Sequence, residues 1–219
     1  MASTRFDQLV EQLEWLRRHL LPYKFDPTGS YHFADKVIIR ASAYRLLCHA
    51  EFESYVESRA IEIAQRALDR WKSENRHSAP LSSLIAFSDV RLPKPPDYVE
   101  KRPKDQKDWD DLVAPQKRIE RIVAAYLEFV ENDNHGIREK NLTKLLIPIG
   151  VDLRKMKATD LATIDDFGRK RGNTAHTSAS AYVKSGVDPK TEFDRVDAVL
   201  KSFRKIDDLV SEISLHLEA

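Results

Sequence analysis

An arginine and a histidine separated by four residues form the chemical pair on which the chain's interpretation rests. Arg171 and His176 lie in the segment DDFGRKRGNTAHT at residues 165–177. A neutral imidazole, with a pKa near about 6.5, can remove a proton from a hydroxyl group at physiological pH. A guanidinium can hold a phosphate in a fork and stabilise charge that develops on it. RNA brings its own nucleophile, the 2′-hydroxyl, so this pair suffices for metal-free RNA cleavage that leaves a 2′,3′-cyclic phosphate and a 5′-hydroxyl.

Other catalytic chemistries lack their sequence motifs. The chain has no Gly-rich phosphate loop, no His-x-x-x-His or His-Glu-x-x-His pair and no Gly-x-Ser-x-Gly elbow. Cys48 is the single cysteine, so we expect no intrachain disulfide and no cysteine-based metal site, and we expect this thiol to be buried in a helix. His49 and Glu53 lie four residues apart on one helix face, where an ordinary packing contact is favoured over a metal-ligand role. We therefore expect no metal and no cofactor.

The segment around Arg171 has the pattern of a helix with one small-residue face. Thr163 is placed as the helix cap, with Asp166 as the reciprocal acid three residues on. At about 100° per residue an apolar stripe forms, and Arg171 falls on it, with His176 roughly 140° around the helix. The residues of this stripe are Ile164, Phe167, Gly168, Ala175, Ala179 and Tyr182. An arginine on a closely packed face breaks a local rule, as functional residues often do. The alternative is a structural ion pair of Arg171 with Asp165 or Asp166.

Helices are predicted throughout the rest of the chain, because apolar residues recur at intervals of three and four and glycine is scarce. Residues 34–75 are predicted to form one long helix or two nearly collinear ones. Val10 and Leu47 are placed on the apolar faces of the first and the long helix. The predicted helices cover residues 4–20, 34–75, 81–87, 115 to about 131, 138–147 and 189–217. The last carries a near-heptad pattern, for which packing within the chain is favoured over a coiled-coil dimer.

Residues 91–113 differ in composition from the helices around them. Four prolines lie there among lysine, arginine and aspartate residues. This pattern predicts a long loop within a single domain of residues 1–219. A solvated surface excursion is favoured, and an arm that contacts RNA or a partner is the alternative.

Charge and hydropathy bound the class of protein. The chain has 36 Lys and Arg against 35 Asp and Glu, a net charge of +1, so no overall basic field indicates a high-affinity nucleic-acid binder. No apolar run reaches the roughly 20 residues that span a bilayer. We therefore expect no membrane segment and a cytoplasmic location.

The Arg171–His176 spacing, with the helical segments before it, resembles the HEPN superfamily of all-α proteins, in which an arginine and a following histidine on one helix have four to six residues between them. The segment RASAYRLLCHAEFESY at residues 40–55 resembles the long second helix of the RiboL-PSP and MAE types, which belong to bacterial toxin and defence systems. The resemblance implies a helical bundle with a long second helix and a long C-terminal amphipathic helix. It covers roughly residues 35–217.

The resemblance also implies a function and a set of partners. HEPN nucleases pair two domains so that both motifs line one cleft, so we expect a homodimer with Arg171 and His176 of each chain at the interface. Asn173, Lys170 and Arg169 are then helpers that contact phosphate or ribose in the RNA substrate. The implied role is a toxin or an antiviral effector, restrained by an antitoxin or sensor protein.

Alternatives to this assignment stay open. Many HEPN motifs place a polar residue directly after the arginine, but here that residue is Gly172. Arg169 fits the longer motif spacing and could replace Arg171 as the catalytic arginine. The chain could also be an inactive HEPN-like module for dimerisation or for binding a nucleotide or partner. A third interpretation is a helical scaffold that assembles through the last helix.

Overall fold

The computed structural model describes residues 2–88, 114–175 and 187–218, and for residues 171–175, 216 and 218 only the backbone. Within these ranges every regular element is helical, which confirms the predicted all-α class. The α-helices are α1 (Thr4–Leu20), α2 (Ala34–Glu74), α3 (Ala79–Ala86), α4 (Pro115–Glu128), α5 (Glu139–Leu146), α6 (Ala158–Ala175) and α7 (Pro189–Glu218). A π-helical turn, Phe129–Asp133, extends α4, and a 3-10 turn, Leu153–Lys155, precedes α6.

The long helix α2 forms the centre of the bundle. It is one uninterrupted helix of 41 residues, the first of the two predicted forms. Its inward face runs from Tyr44 through Cys48 to Phe52 at intervals of four, and all three side chains are fully buried. The same register turns Leu47 outward, so its placement on the apolar face is wrong: Leu47 is 45% exposed. Val10 of α1 is 38% exposed and was misplaced for the same reason.

Cross-helix contacts show that α7 runs parallel to α2. Arg45 pairs with Glu192 near the start of both helices, and Arg66 donates to Ser214 Oγ at 3.0 Å near the end of both. The near-heptad apolar residues of α7 lie in or against the core of the same chain. Packing within the chain is thus confirmed for this stripe.

Helix α6 runs antiparallel to α7. Lys155, just before α6, pairs with Glu212 at 2.9 Å, whereas Asp166 lies opposite Arg195 in the groove between the two helices. The carboxyl end of α6 therefore lies at the same end of the bundle as the amino-terminal parts of α2 and α7. This arrangement determines what surrounds the predicted site.

A buried carboxylate joins the start of the chain to α2 and α7. Asp207 is fully buried and accepts hydrogen bonds from Ser3 N (2.9 Å), Ser3 Oγ (2.5 Å) and the Tyr55 hydroxyl (2.8 Å). Burial and the neighbouring Asp207 charge raise the pKa of Tyr55, which keeps this hydroxyl a donor. Ser3 also caps α1 by accepting from Phe6 N.

Candidate functional site

Helix α6 carries the predicted motif, and it begins earlier than the sequence pattern indicated. Its first turn starts at Ala158, where Lys157 O accepts hydrogen bonds from Asp160 N and Leu161 N. Thr163 lies inside the helix and donates its hydroxyl to Thr159 O at 2.8 Å. The assignment of Thr163 as the cap is therefore wrong. Capping pairs of the Thr-x-x-Asp type also occur within helices, where the hydroxyl bonds back to the preceding turn instead.

The predicted inward face of α6 is confirmed as far as side chains are described. Ile164 and Phe167 are buried at 0% and 2% exposure, and Gly168 is buried too. The Phe167 ring contacts the rings of His49 and Phe52 on α2, at centroid distances of 6.0 Å each. Phe167 thereby anchors the middle of α6 to the central helix.

The structure describes the motif residues only in part. The α6 backbone is helical through Arg171, Asn173 and Ala175, but for these residues only the backbone is described. His176 and the stripe residues Ala179 and Tyr182 fall outside the described residues, as does the 91–113 segment. The placement of Arg171 and His176 in one site stays a prediction.

A close contact with Arg138 fixes how α6 lies on the bundle. A β-carbon built on Gly168 would lie 2.9 Å from Arg138 Cγ and 3.4 Å from Arg138 N. Asp165, one turn earlier, accepts from Arg138 Nε (3.1 Å) and Nη2 (3.3 Å) and from Glu139 N (3.2 Å). The hydrogen bond from Arg138 is the main reason that the pKa of Asp165 is lowered. The expectation that Gly168 permits close approach is supported, but the neighbour is the start of α5 in the same chain.

The two predicted helper cations surround one carboxylate. Asp166 accepts from Lys170 Nζ at 2.5 Å and from Arg169 Nη2 at 2.6 Å. These contacts, that of Lys170 first, lower the pKa of Asp166. Asp165 and Asp166, the acceptors considered for an Arg171 ion pair, thus have cationic partners in Arg138, Arg169 and Lys170.

A buried charge cluster at the start of α7 was not anticipated from the sequence. Glu192, 1% exposed, accepts from Arg45 Nε at 2.6 Å and Nη2 at 2.5 Å, and also from Arg195. Arg45 is 8% exposed, so the fork-shaped contact with Glu192 lies within the bundle. The available signal was weak: Arg45 lies between Tyr44 and Leu46 and Glu192 directly precedes Phe193, so each charged residue adjoins an apolar one.

His49 lies beneath α6 and not in a metal cluster. It is 1% exposed, its Nδ1 lies 3.5 Å from Glu53 Oε2, and no described residue gives either ring nitrogen a hydrogen bond. The contact with Glu53 agrees with the favoured packing role. Among the described residues, no group of three or more His, Cys, Asp or Glu side chains could hold a metal ion.

Comparison with known families identifies the relationship. The RiboL-PSP-HEPN family model matches residues 11–213, which include α2, α6 and almost all of α7. The chain belongs to the RiboL-PSP-HEPN family. This membership confirms the resemblance read from the motif and indicates an RNase or nuclease type of function, although many HEPN proteins are inactive.

Neither the curated proteins nor the solved structures contain a significant match. HEPN domains often bind RNA and dimerise. In the part of the chain that the structure describes, no helix has the length and apolar character needed to cross a bilayer.

Proposed function

We propose that this HEPN protein is a metal-independent endoribonuclease that uses Arg171 and His176. The family match carries the proposal, because its span of residues 11–213 includes both residues of the motif. The α6 backbone supports it, since the helix continues through Arg171, one turn beyond the buried Phe167. A continuous helix of this kind gives the arginine a rigid support.

The proposed reaction is an internal transesterification. His176 takes the proton of the ribose 2′-hydroxyl, and the 2′-oxygen attacks the adjacent phosphorus. Arg171 stabilises the charge on the phosphate oxygens as the phosphorus becomes pentacoordinate. The bond to the 5′-oxygen then breaks, and that oxygen leaves with a proton. The products are a 2′,3′-cyclic phosphate and a 5′-hydroxyl, and DNA is not cleaved because it lacks the 2′-hydroxyl.

A homodimer completes the proposed site. Two chains bring two copies of Arg171 and His176 to one cleft, so one imidazole can serve as the base and the other as the acid. Asn173, Lys170 and Arg169 contact phosphate or ribose. The proposed setting is the cytoplasm, where the enzyme acts as a toxin or antiviral effector under an antitoxin or sensor protein.

RNA cleavage with EDTA present tests this function. Purified wild type should leave 2′,3′-cyclic ends, and His176→Ala should lose activity by at least about 100-fold, the usual contribution of a general base. Arg171→Ala and Arg169→Ala, compared in the same assay, assign the arginine. His77→Ala removes an exposed histidine just after α2, at the opposite end of the bundle from Arg171, and serves as the control. Loss of all activity on adding EDTA would contradict the mechanism.

An inactive HEPN module is the second candidate, and Gly172 favours it. A polar residue often follows the motif arginine, and glycine offers no side chain for contact with substrate. In that case wild type binds a nucleotide or partner, or forms a dimer, without cleaving RNA. The cleavage assay separates the two functions, and sedimentation of the same preparation tests the dimer that both of them allow.

A further inference from the structure

A groove between α6 and α7 lies next to the motif helix. Its volume is about 310 Å³. It is lined by Ala162, Thr163, Asp166 and Phe167 on α6 and by Arg195, Ala198 and Val199 on α7. Small side chains on both helices open the groove, and the buried Phe167 and Val199 form an apolar floor. This size is at the lower end for ligand sites, which suits one nucleotide and excludes a duplex.

Asp166 and Arg195 form the polar rim of the groove, and further cationic side chains adjoin them. On α6, Asp166 is flanked by Arg169 and Lys170, and on α7 the buried Glu192 is flanked by Arg45 and Arg195. Arg45 and Glu192 are both buried, and their pair lies within the bundle. The cations that reach solvent beside the groove are Arg169, Lys170 and Arg195, against the single exposed carboxylate of Asp166, so the rim has a net positive charge. The side chains of Lys170 and Arg195 are both 34% exposed, so each can reach solvent while contacting its carboxylate. An apolar floor with a cationic rim is complementary to a nucleotide, which has an apolar base face and an anionic phosphate.

The groove lies close to the position of the proposed catalytic arginine. Phe167, which lines the groove, precedes Arg171 by four residues on the same helix, which is about 6 Å along its axis and about 40° around it. Lys170 directly precedes Arg171 and pairs with Asp166 on the groove rim. A strand of RNA at Arg171 therefore needs to extend only a short distance along α6 to reach the groove.

We infer that the α6–α7 groove binds one nucleotide of single-stranded RNA next to the cleaved bond. The base lies against the apolar floor between Ala162 and Ala198, and the phosphate contacts Arg195 and Lys170. This inference rests on the proposed RNase function and adds a substrate subsite to it. Because the floor offers few groups that read a base edge, the subsite contributes affinity with little sequence preference.

Binding of a fluorescent single-stranded RNA with 2′-O-methyl groups, which cannot be cleaved, tests the subsite. Ala162→Trp fills the groove from an exposed position, and Ala124→Trp places the same side chain on exposed α4 as its control. Arg195→Gln removes one rim charge. Arg204→Gln is its control, because Arg204 lies on the same helix, is 32% exposed and also pairs with a carboxylate four residues away.

We expect Ala162→Trp and Arg195→Gln each to weaken binding about tenfold and both controls to stay within about twofold. Arg195→Gln should also lower the slope of log affinity against log salt by about 1, whereas Ala162→Trp should leave that slope unchanged. Arg195→Lys, which keeps the positive charge, should retain most of the wild-type slope of log affinity against log salt. Melting curves establish that each variant is folded.

The outcomes separate this inference from the proposed function. If wild type cleaves RNA and both groove variants bind the uncleavable RNA as their controls do, the subsite is wrong and the RNase function stands. If Ala162→Trp weakens binding but Arg195→Gln leaves affinity and salt slope unchanged, the phosphate contact is wrong. If wild type neither cleaves nor binds RNA, both proposals fail.

Discussion

Gly168 and Arg138 are in such close contact that residue 168 has no room for a β-carbon, which would lie 2.9 Å from Arg138 Cγ. Gly168→Ala should therefore lower the free energy of unfolding by up to about 2 kcal/mol, because an overpacking cost of about 1–3 kcal/mol is offset by the roughly 1 kcal/mol that alanine gains in a helix. Urea denaturation measures the change. We also expect RNA cleavage to fall, since the displaced helix carries Arg171.

Removing Arg138 Cγ provides the matching test. In an Arg138→Ala background the cost of Gly168→Ala should shrink by more than half, since the closest contact is gone. An equal cost in both backgrounds would show that the Gly168 contact does not limit how α6 packs. Both single variants and the double variant complete the cycle.

The ion pair of Asp165 with Arg138 should stabilise the fold only above acidic pH. The pKa of Asp165 is lowered in the folded state, so its contribution is present above the unfolded pKa of about 3.9 and is lost as pH falls through the lower folded value. At pH 7 we expect Asp165→Asn to be less stable by about 0.5–1 kcal/mol, a range that allows for solvent screening of this partly exposed pair. Unfolding curves at pH 7 and at about pH 3 should show the difference narrowing. A constant difference would mean that the carboxylate charge is not what stabilises this contact.

Glu57 should show the opposite pH dependence. Burial raises the pKa of this half-buried carboxyl, so the folded state binds the proton more tightly than the unfolded chain. Its charge is thus unfavourable at neutral pH, and this penalty disappears as pH falls through the raised folded pKa towards about 4.3. Glu57→Gln keeps an acceptor for Asn134 Nδ2, which now lies 2.6 Å from Glu57 Oε1. It should be at least as stable as wild type at pH 7, with any advantage shrinking on acidification.

Glu57→Ala is the control for that prediction, because it removes the acceptor as well as the charge. It should be less stable than Glu57→Gln at every pH by about 1 kcal/mol, the usual net value of a hydrogen bond. A glutamine variant that is less stable than wild type at pH 7 would show that the charge of Glu57 helps the fold.

The pair of Arg45 and Glu192 should behave as a buried ion pair. Arg45→Met leaves a 1%-exposed carboxylate with fewer cationic contacts, so we expect a loss of about 3 kcal/mol in unfolding free energy. Arg45→Met combined with Glu192→Met should recover much of that loss, because the buried carboxylate that lost its Arg45 partner is then removed as well. Thermal and urea denaturation of the two single variants and the double variant measure the coupling. Additive effects would contradict the assignment.

The helices were largely predictable because each is encoded by local apolar periodicity. The bounds of α1, α2 and α7 agree with their patterns to within about a residue, as does the inward face of Ile164, Phe167 and Gly168. The start of α6 was missed because Thr163 has the same sequence signature inside a helix as at its end. The side chain can bond either to the following backbone amide or to the preceding carbonyl.

The surroundings of the candidate site were not predictable, because they depend on contacts between distant segments. Arg45 and Glu192 are separated by 147 residues, and no periodicity relates them. The same holds for Gly168 and Arg138, where the sequence indicated a close approach but not its partner. The groove beside α6 follows from how α7 packs against α6, which a single helix pattern does not determine.

The hydrogen bonds between Ser3 and Asp207 have a consequence for the order in which the chain folds. Their partners are 204 residues apart, so during synthesis Ser3 lacks its carboxylate partner until Asp207, well inside the last helix, has left the ribosome. Contacts between such distant residues form late and slow the overall folding rate. In nascent chains that end before residue 207, α1 can already pack against α2, but the residues ahead of it should stay open to proteases until the last helix is complete.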